Sequence, residues 1–265
     1  MFFPRLFQTD SHSAVLVPAA ALCLCLLGWS RGADEARARD LSLGFGHGNH
    51  ARTATMVVPD GTPPSAGWPA VLVLHGAGES GEQAARGNGW REIARREHFV
   101  VIAPDGTPAN ESRPASVVDS RRVWNSGIGI RTGLAASGTS AVSNGVNDVE
   151  YLVALLDTAT QRVRIDPKRV YVAGHFNGAD MSYRIAAEHP ERFAAVGVMA
   201  GHLIADVPHS LSSAVSLLQI VGDRAPLHPN AIGSLRIGTG GNNTVRAALA
   251  ATETMWAFFA THQKR

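Results

Sequence analysis

The sequence predicts an α/β fold with a mostly parallel central sheet and helices on both of its faces. Apolar runs of strand length alternate along the chain with segments whose apolar residues recur at helical spacing. The runs are apolar throughout rather than at every second residue, which is typical of strands that are buried on both faces of a sheet. Strands of this kind belong to layered folds in which helices cover the sheet from both sides.

The strands follow from these runs and from the glycines and prolines that end them. A run such as VLVLHG ends in a glycine, and FVVIAPDG ends in a proline followed by a turn. The predicted strands are residues 51–59, 69–76, 99–106, 166–174, 194–201 and 215–223.

The helices are predicted where apolar residues recur every three or four positions. A first helical stretch, 80–98, is interrupted by Gly87 and Gly89. Further helices are predicted at 147–163, from 177 to near Pro190, and over the amphipathic end of the chain at 251–265. Residues 107–146 are rich in Ser, Gly, Thr and Asn and predict long loops.

Composition excludes several classes of function. The chain has 265 residues, a formal net charge of +2, 45% hydrophobic residues and no basic block. Nucleic-acid binding is therefore not expected. The only cysteines are Cys23 and Cys25. No group of His, Cys, Asp or Glu has metal-ligand spacing, and the pair His47 and His50 is interpreted as incidental, so neither a metal nor another cofactor is predicted.

The N-terminal segment predicts export. The apolar run at 14–29 is shorter than the roughly 20 residues of a membrane span, and small residues follow it, as in a secretory signal. We expect a signal peptide at 1–32, a flexible leader at 33–50 and one domain at 51–265. The mature protein would then be secreted or periplasmic and not attached to the membrane; a retained membrane anchor is the alternative.

The stretch VYVAGHFNGADMSYR, at 170–184, combines a buried strand, a Gly-x-x-x-Gly turn and a helix. This is the pattern of a nucleophile elbow, in which a serine occupies the apex of a sharp strand-to-helix turn. Here the apex is Phe176, whose side chain can neither attack a carbonyl carbon nor transfer a proton.

The chain resembles the secreted esterase family of polyhydroxybutyrate depolymerases and feruloyl-esterase-like enzymes. The resemblance is carried by VLVLHGAGESGEQ, GWREIARREHFVVIAPDGT, VWNSG, GVNDVEYLVALLD, IDPKRVYVAGHFNGADMSYRIAAEHPERFAAVGVMAG and ATETMWAFFATH. It implies an α/β-hydrolase fold, carboxylic-ester hydrolysis and a small-molecule or polymeric ester as ligand. Relative to the family, the chain is shortened before its C-terminal helix, and we expect this to remove a strand from the sheet edge.

The resemblance also implies a Ser-Asp-His triad, and none of its positions holds the family residue. Phe176 stands at the serine position and Ala225 at the acid position. For the histidine, either Asn243 occupies the position or the segment that should carry it is absent. Asp223, two residues before Ala225, is an alternative acid.

The oxyanion hole, in contrast, is expected to persist, because it consists of backbone N–H groups. The resemblance places these donors at Ala77, in the motif HGAG, and at Asn177, directly after the apex. The structural alternative for HGAG is an ordinary strand-to-helix turn.

Other side chains are candidates for the cleft around these amides: His75, Trp124, Asn125, His175 and His228. For Trp124 the alternative is a local packing anchor, and for His175 it is a second-layer or solvent-facing position. Asp180, in the first turn of a helix, is interpreted as complementing the helix dipole.

Three functional hypotheses follow. The first is an inactive, or nearly inactive, exported member of the esterase family that retains ligand binding. The second is an active carboxylic-ester hydrolase with a site rebuilt from Asp223 and His228. The third is a structural or partner-binding exported protein.

Overall fold

A computed structural model describes residues 39–47, 50–108, 115, 120–127, 146–200, 215–222, 233–237 and 244–264. These residues fall within one compact unit, Ala36–Arg265. The expected signal peptide at 1–32 lies outside the described residues, and so do Ala225, Asp223, His228 and Asn243.

The described strands form an eight-stranded sheet with the order β1-β2-β4-β3-β7-β8-β9-β10, beside a two-stranded ribbon of β5 and β6. The first two strands of the sheet are antiparallel to their neighbours, and the other six run parallel. The strands are β1 Arg39–His47, β2 His50–Val58, β3 Trp68–Leu74, β4 Val100–Pro104, β5 Thr107–Pro108, β6 Arg122–Val123, β7 Ile165–His175, β8 Ala195–Met199, β9 Ser216–Gly222 and β10 Gly233–Ile237.

The described helices connect and cover the parallel strands: α1 Gly81–Gly87, α2 Trp90–Glu97, α3 Asp148–Arg162, α4 Asn177–Glu188 and α5 Thr244–Ala260. The predicted interruption of the first helical stretch is confirmed, because Gly89 has a φ of 77° and separates α1 from α2. A capping box of Ser80 and Gln83 fixes the start of α1.

The core lies on both faces of the sheet, as the apolar runs predict. Every residue of β3 is buried. Its alternate residues Leu72 and Leu74 pack with α3 and α4 on one face. Val71 and Val73 pack with α1, α2 and α5 on the other. This arrangement confirms the mostly parallel, doubly covered sheet.

Two expectations about the ends of the domain are wrong. Residues 39–47, inside the expected flexible leader 33–50, form β1, which pairs along its whole length with β2 and brings His47 and His50 into register as hairpin partners. The strand expected to be lost before the last helix is also present, since β10 extends the sheet parallel to β9. In both cases the segment becomes a strand by pairing with a neighbouring strand, and the local sequence alone does not indicate this pairing.

Candidate active-site cleft

The turn after β7 has the geometry of a nucleophile elbow. Phe176 has a φ of 48° and a ψ of −123°, directly between the last residue of β7 and the first of α4. Its N–H donates to the carbonyl oxygen of Met199 on the adjacent strand, and its own carbonyl oxygen accepts from the N–H groups of Ala179 and Asp180. A non-glycine residue in this region of φ and ψ costs roughly 1–3 kcal/mol, which the surrounding hydrogen bonds must offset.

The side chain of Phe176 projects from this apex into solvent, with 55% of its surface exposed. Large apolar side chains are mostly buried, so a half-exposed ring on a strained turn is an uncommon placement. The ring meets the imidazole of His175 edge-on, with 5.8 Å between the ring centroids.

Two glycines let the elbow form. A Cβ on Gly174 would lie 2.3 Å from the carbonyl oxygen of Gly178, and a Cβ on Gly178 would lie 2.2 Å from the carbonyl oxygen of Leu74. No side chain fits at these distances, so the close approach of α4 to β7 and β3 depends on glycine at both positions.

The HGAG motif forms a tight turn beside the elbow. Leu74 of β3 is paired in register with Gly174 of β7, so the turns that follow these two strands lie next to each other. In the turn 76–79, the N–H of Glu79 donates to the carbonyl oxygen of Gly76 at 3.1 Å. Gly78, the third residue, has a φ of 89°, as a type II turn requires at that position.

The two expected oxyanion donors are backbone amides that follow two adjacent strands. Ala77 is exposed, and Asn177 begins α4. Within the part of the chain that the structure describes, the N–H groups of Ala77 and Asn177 have no hydrogen-bond acceptor. They also lie at the carboxyl ends of adjacent parallel strands, where open α/β sheets bind their ligands.

His75 does not line the cleft. Its side chain is fully buried, Nδ1 lies 2.7 Å from the carbonyl oxygen of Gly76, and Nε2 accepts from the N–H of Gly106 at 2.8 Å. Because an amide N–H can only donate, Nδ1 carries the proton. Burial lowers the pKa of His75 from 6.5 to about 4, so the ring is neutral at pH 7. The prediction of His75 as a cleft residue is therefore wrong. The buried ring instead hydrogen-bonds to the backbone of Gly76 in the HGAG turn and of Gly106.

Trp124 is a packing anchor rather than a cleft wall. Only 2% of its surface is exposed, and its indole N–H donates to the carbonyl oxygen of His75. Its backbone exchanges two hydrogen bonds with the side chain of Asn177: the Trp124 N–H donates to Oδ1 at 2.7 Å, and Nδ2 donates to the Trp124 carbonyl oxygen at 3.2 Å. The side chain of Asn177 thus fastens the loop 124–127 to the elbow, a role that the sequence did not indicate.

Asn125 lies partly buried in the same loop. Its N–H donates to Asp148, its carbonyl oxygen accepts from Arg184, and its Nδ2 donates to the carbonyl oxygen of Val146. Its Oδ1 is buried without a hydrogen-bond partner among the described residues. Nearly all the polar groups of Asn125 therefore hold the loop in place.

A buried ion pair behind the loop was not predicted. Arg52 of β2 and Asp148 of α3 lie 2.7 Å apart with side chains only 2% and 0% exposed. Arg52 also donates to Thr107 at 2.8 Å and lies 4.0 Å from the ring centroid of Tyr151. The pair ties the antiparallel edge of the sheet to the start of α3, and the second oxygen of Asp148 holds the loop through Asn125.

His175 lies behind the residues that face the cleft, which is the first of the two alternatives predicted for it. Only 6% of its surface is exposed, which excludes the solvent-facing alternative. Its Nε2 lies 2.7 Å from Oε2 of Glu79 and 3.2 Å from the N–H of Gly76, and its Nδ1 lies 3.4 Å from Nδ2 of Asn88. Donation from His175 lowers the pKa of Glu79 below its usual value. Glu79 was not identified as a site residue from the sequence. The only signal for it in the sequence is its position at the end of the HGAG turn.

Metal-binding clusters and membrane-spanning helices were both expected to be missing from the mature domain, and the described ranges contain neither. Within those ranges, no three His, Cys, Asp or Glu side chains are grouped closely enough to hold a metal ion. None of the helices described has both the length and the apolar character that crossing a bilayer requires.

The sheet, its flanking helices and the elbow define an α/β-hydrolase fold, and solved structures share it. A dienelactone hydrolase-like phosphotriesterase, P91, from metagenomic libraries superposes with a TM-score of 0.59 at 15% identity, covering 86% of this chain and 99% of that one. An S-formylglutathione hydrolase of Staphylococcus aureus gives a TM-score of 0.58 at 14% identity, covering 85% and 98%. At such identities the likeness concerns the fold alone.

The chain belongs to the PHB depolymerase family of esterases, whose family model, "Esterase PHB depolymerase", matches residues 54–232. It is 29% identical over 181 residues to NocK of Nocardia uniformis subsp. tsuyamanensis, a protein named as an esterase, covering 68% of this chain and 45% of NocK. It is 30% identical over 146 residues to a poly(3-hydroxybutyrate) depolymerase of Ralstonia pickettii, covering 53% and 26%. The chain thus spans less than half the length of these relatives.

Proposed function

We propose that this chain is an exported, catalytically inactive or nearly inactive member of the esterase family, and that it retains a ligand-binding cleft. The observation that carries the proposal is the apex of the elbow. A phenyl ring, 55% exposed, stands where the resemblance to the family expects the attacking serine.

The physical argument concerns what the apex atom must do. Acyl transfer needs an oxygen or sulfur nucleophile whose proton a nearby base removes. A benzyl group has no such atom. Loss of a triad nucleophile lowers kcat by about 10⁶-fold in the best-studied serine protease series. Oxyanion donors and binding alone retain roughly 10³–10⁴-fold over water.

The same cleft keeps the groups that would hold an ester or its carboxylate product. The N–H groups of Ala77 and Asn177 have no acceptor among the described residues, and the Asn177 amide opens a helix of 12 residues. The partial positive charge of that helix terminus favours an anionic or polarised oxygen. We propose a small-molecule or polymeric ester, or its acid, as the ligand.

Export is part of the proposal, since the apolar segment at 14–29 has the length and flanking residues of a secretory signal. The measurement that tests it is the N-terminal sequence of the protein recovered outside the cytoplasm. A mature protein that still begins at Met1 would contradict it.

The test of inactivity compares three proteins: the wild-type chain, Phe176→Ala and Phe176→Ser. Each is assayed for hydrolysis of p-nitrophenyl butyrate and for covalent labelling by diisopropyl fluorophosphate. We expect wild type and Phe176→Ala to show neither turnover above buffer nor an adduct. The alanine variant is the matched control, because it removes the ring without supplying a hydroxyl.

We expect Phe176→Ser to remain far below ordinary esterase rates, since the proposal holds that the base and the orienting acid are missing too. Turnover or labelling by the wild type would contradict the proposal and support the rebuilt hydrolase. Full activity from Phe176→Ser alone would show that an acid and a base are still in place.

A further inference from the structure

The side chain of His175 joins the HGAG turn to the elbow, and its shortest contact is the hydrogen bond to Glu79. Glu79 is the last residue of the turn, and His175 directly precedes the apex. Their atoms Oε2 and Nε2 lie 2.7 Å apart, and the N–H of Gly76 lies 3.3 Å from the same Oε2. One carboxylate oxygen therefore meets donors from both of the turns that carry the proposed ligand-binding amides.

The neighbours of the two ring nitrogens of His175 indicate which of them donates a hydrogen bond. Asn88 presents Nδ2, a donor, to Nδ1, and Glu79 presents a carboxylate, an acceptor, to Nε2. A proton on Nε2 suits both Asn88 and Glu79, whereas a proton on Nδ1 alone would face a donor and leave the lone pair of Nε2 against the carboxylate. The N–H of Gly76 lies 3.2 Å from Nε2 and 3.3 Å from Oε2, and with the proton on Nε2 it can donate only to the carboxylate oxygen. His175 therefore donates to Glu79, and Gly76 donates to the same oxygen.

The contact bears directly on the amide of Ala77. That amide lies in a turn whose two flanking N–H groups are both fixed: Gly76 donates to Glu79, and Gly78 donates to the carbonyl oxygen of Arg122 at 2.8 Å. The Ala77 N–H between them has no acceptor among the described residues. Without Glu79, the Gly76 N–H would lose its carboxylate acceptor. Its remaining neighbour is Nε2 of His175 at 3.2 Å, which can accept only if the ring proton moves to Nδ1.

We propose that Glu79 is a positioning residue: through Gly76 and His175 it sets the Ala77 amide relative to the Asn177 amide, so that both can bind one carboxyl group. This inference rests on the proposed ligand-binding function of the cleft. Glu79 need not contact the ligand for this role, since its side chain, 41% exposed, lies against the turn.

The test is an NMR titration of the ¹⁵N-labelled chain with butyrate, on wild type, Glu79→Ala and Glu79→Gln. In the wild type we expect the Ala77 and Asn177 amides to shift together with one dissociation constant. Glu79→Ala should weaken butyrate by about tenfold, as expected for loss of a hydrogen bond to a charged group. In that variant the Ala77 shift should disappear while the Asn177 shift remains.

Glu79→Gln separates geometry from charge. Its amide oxygen can still accept from Gly76 or His175, and removal of a negative charge near an anion does not weaken binding. We expect it to bind butyrate at least as well as the wild type. Glu82→Ala is the matched control: its carboxylate is 55% exposed and pairs with Arg86 on α1, so we expect no change.

Two outcomes would overturn the inference in distinguishable ways. If the wild type shows no shift at either amide, the proposed ligand site is wrong, and the inference falls with it. If the wild type binds and Glu79→Ala binds equally well with both shifts intact, only the positioning role is wrong. Hydrogen exchange of the Gly76 amide checks that role without a ligand. It should be slow in wild type and Glu79→Gln and fast in Glu79→Ala, and equal rates in all three would contradict the role.

Discussion

The buried imidazole of His75 makes the stability of the domain depend on pH in a calculable way. The folded chain holds His75 neutral, with a pKa of about 4, whereas the unfolded chain has the ordinary value of 6.5. Below pH 6.5 the imidazole of His75 binds a proton in the unfolded chain but not in the folded chain. The free energy of unfolding therefore falls as pH decreases. The loss begins near pH 6.5 and is complete near pH 4.

The magnitude follows from the two pKa values. The difference of 2.5, from 6.5 to about 4, corresponds to about 3 kcal/mol at roughly 1.4 kcal/mol per pKa unit. Such a loss is a large share of the roughly 5–15 kcal/mol that stabilises an ordinary domain. Above pH 6.5 both states are neutral at His75, and its contribution does not change.

The assay is urea unfolding of wild type and His75→Asn from pH 7.5 to pH 4. The asparagine does not titrate, and its amide can replace the Nδ1 donor toward Gly76. We expect the wild type to be the more stable protein at pH 7.5 and its advantage over the variant to shrink by about 3 kcal/mol by pH 4. Carboxylates that titrate in both proteins cancel in this difference.

An advantage that stays constant over this range would refute the reasoning. So would an imidazole of His75 that titrates near pH 6.5 in the folded wild type, followed by NMR. The second measurement needs no variant, and it decides the question even where His75→Asn does not fold.

Three further predictions concern the free energy of unfolding, each measured by urea unfolding at pH 7. Arg52→Met should lower it by about 3–5 kcal/mol, because the buried carboxylate of Asp148 loses its cation. The control Arg86→Met removes an exposed pair and should lower it by at most about 1 kcal/mol, and equal losses in the two variants would contradict this prediction. Gly178→Ala should cost at least roughly 3 kcal/mol, since its Cβ meets backbone that cannot yield, and a loss below 1 kcal/mol would show that α4 can move away. Phe176→Gly should raise the free energy of unfolding by about 1 kcal/mol, because glycine adopts the apex conformation without strain and the lost ring is half exposed; a clear decrease would show that ring contacts outweigh the strain.

The sequence predicts the parts of the fold that depend on local pattern. The continuous apolar run of β3 indicates burial on both faces, and the spacing of Gly174 and Gly178 indicates the elbow. Both predictions rest on residues that are close together in the chain. A short stretch of sequence therefore contains all the residues that determine the local structure.

The parts that escape prediction depend on partners far along the chain. Arg52 and Asp148 are separated by 96 positions, and nothing around either residue indicates that it is buried. The strand β1 contains two glycines and alternates polar residues with Leu41, Leu43 and Phe45, and its pairing with β2 shows that it is a strand. The position of Glu79 near His175 arises in the same way, since the two residues meet only when β3 and β7 become neighbours in the sheet.

The elbow itself does not diagnose catalysis, because its geometry is fixed by atoms other than those of the apex side chain. Glycine at 174 and 178 permits the approach of α4, the Met199 carbonyl oxygen binds the apex N–H, and the first turn of α4 binds the apex carbonyl oxygen. Each of these contacts uses backbone, so any residue that tolerates a positive φ can be held at the apex. The strained turn can therefore form whether or not the side chain at its apex carries an attacking atom. What separates an esterase from a binding protein on this scaffold is the chemistry of the side chain at position 176 and of the groups that can reach it, so the Phe176→Ser and Phe176→Ala pair tests function where the fold cannot.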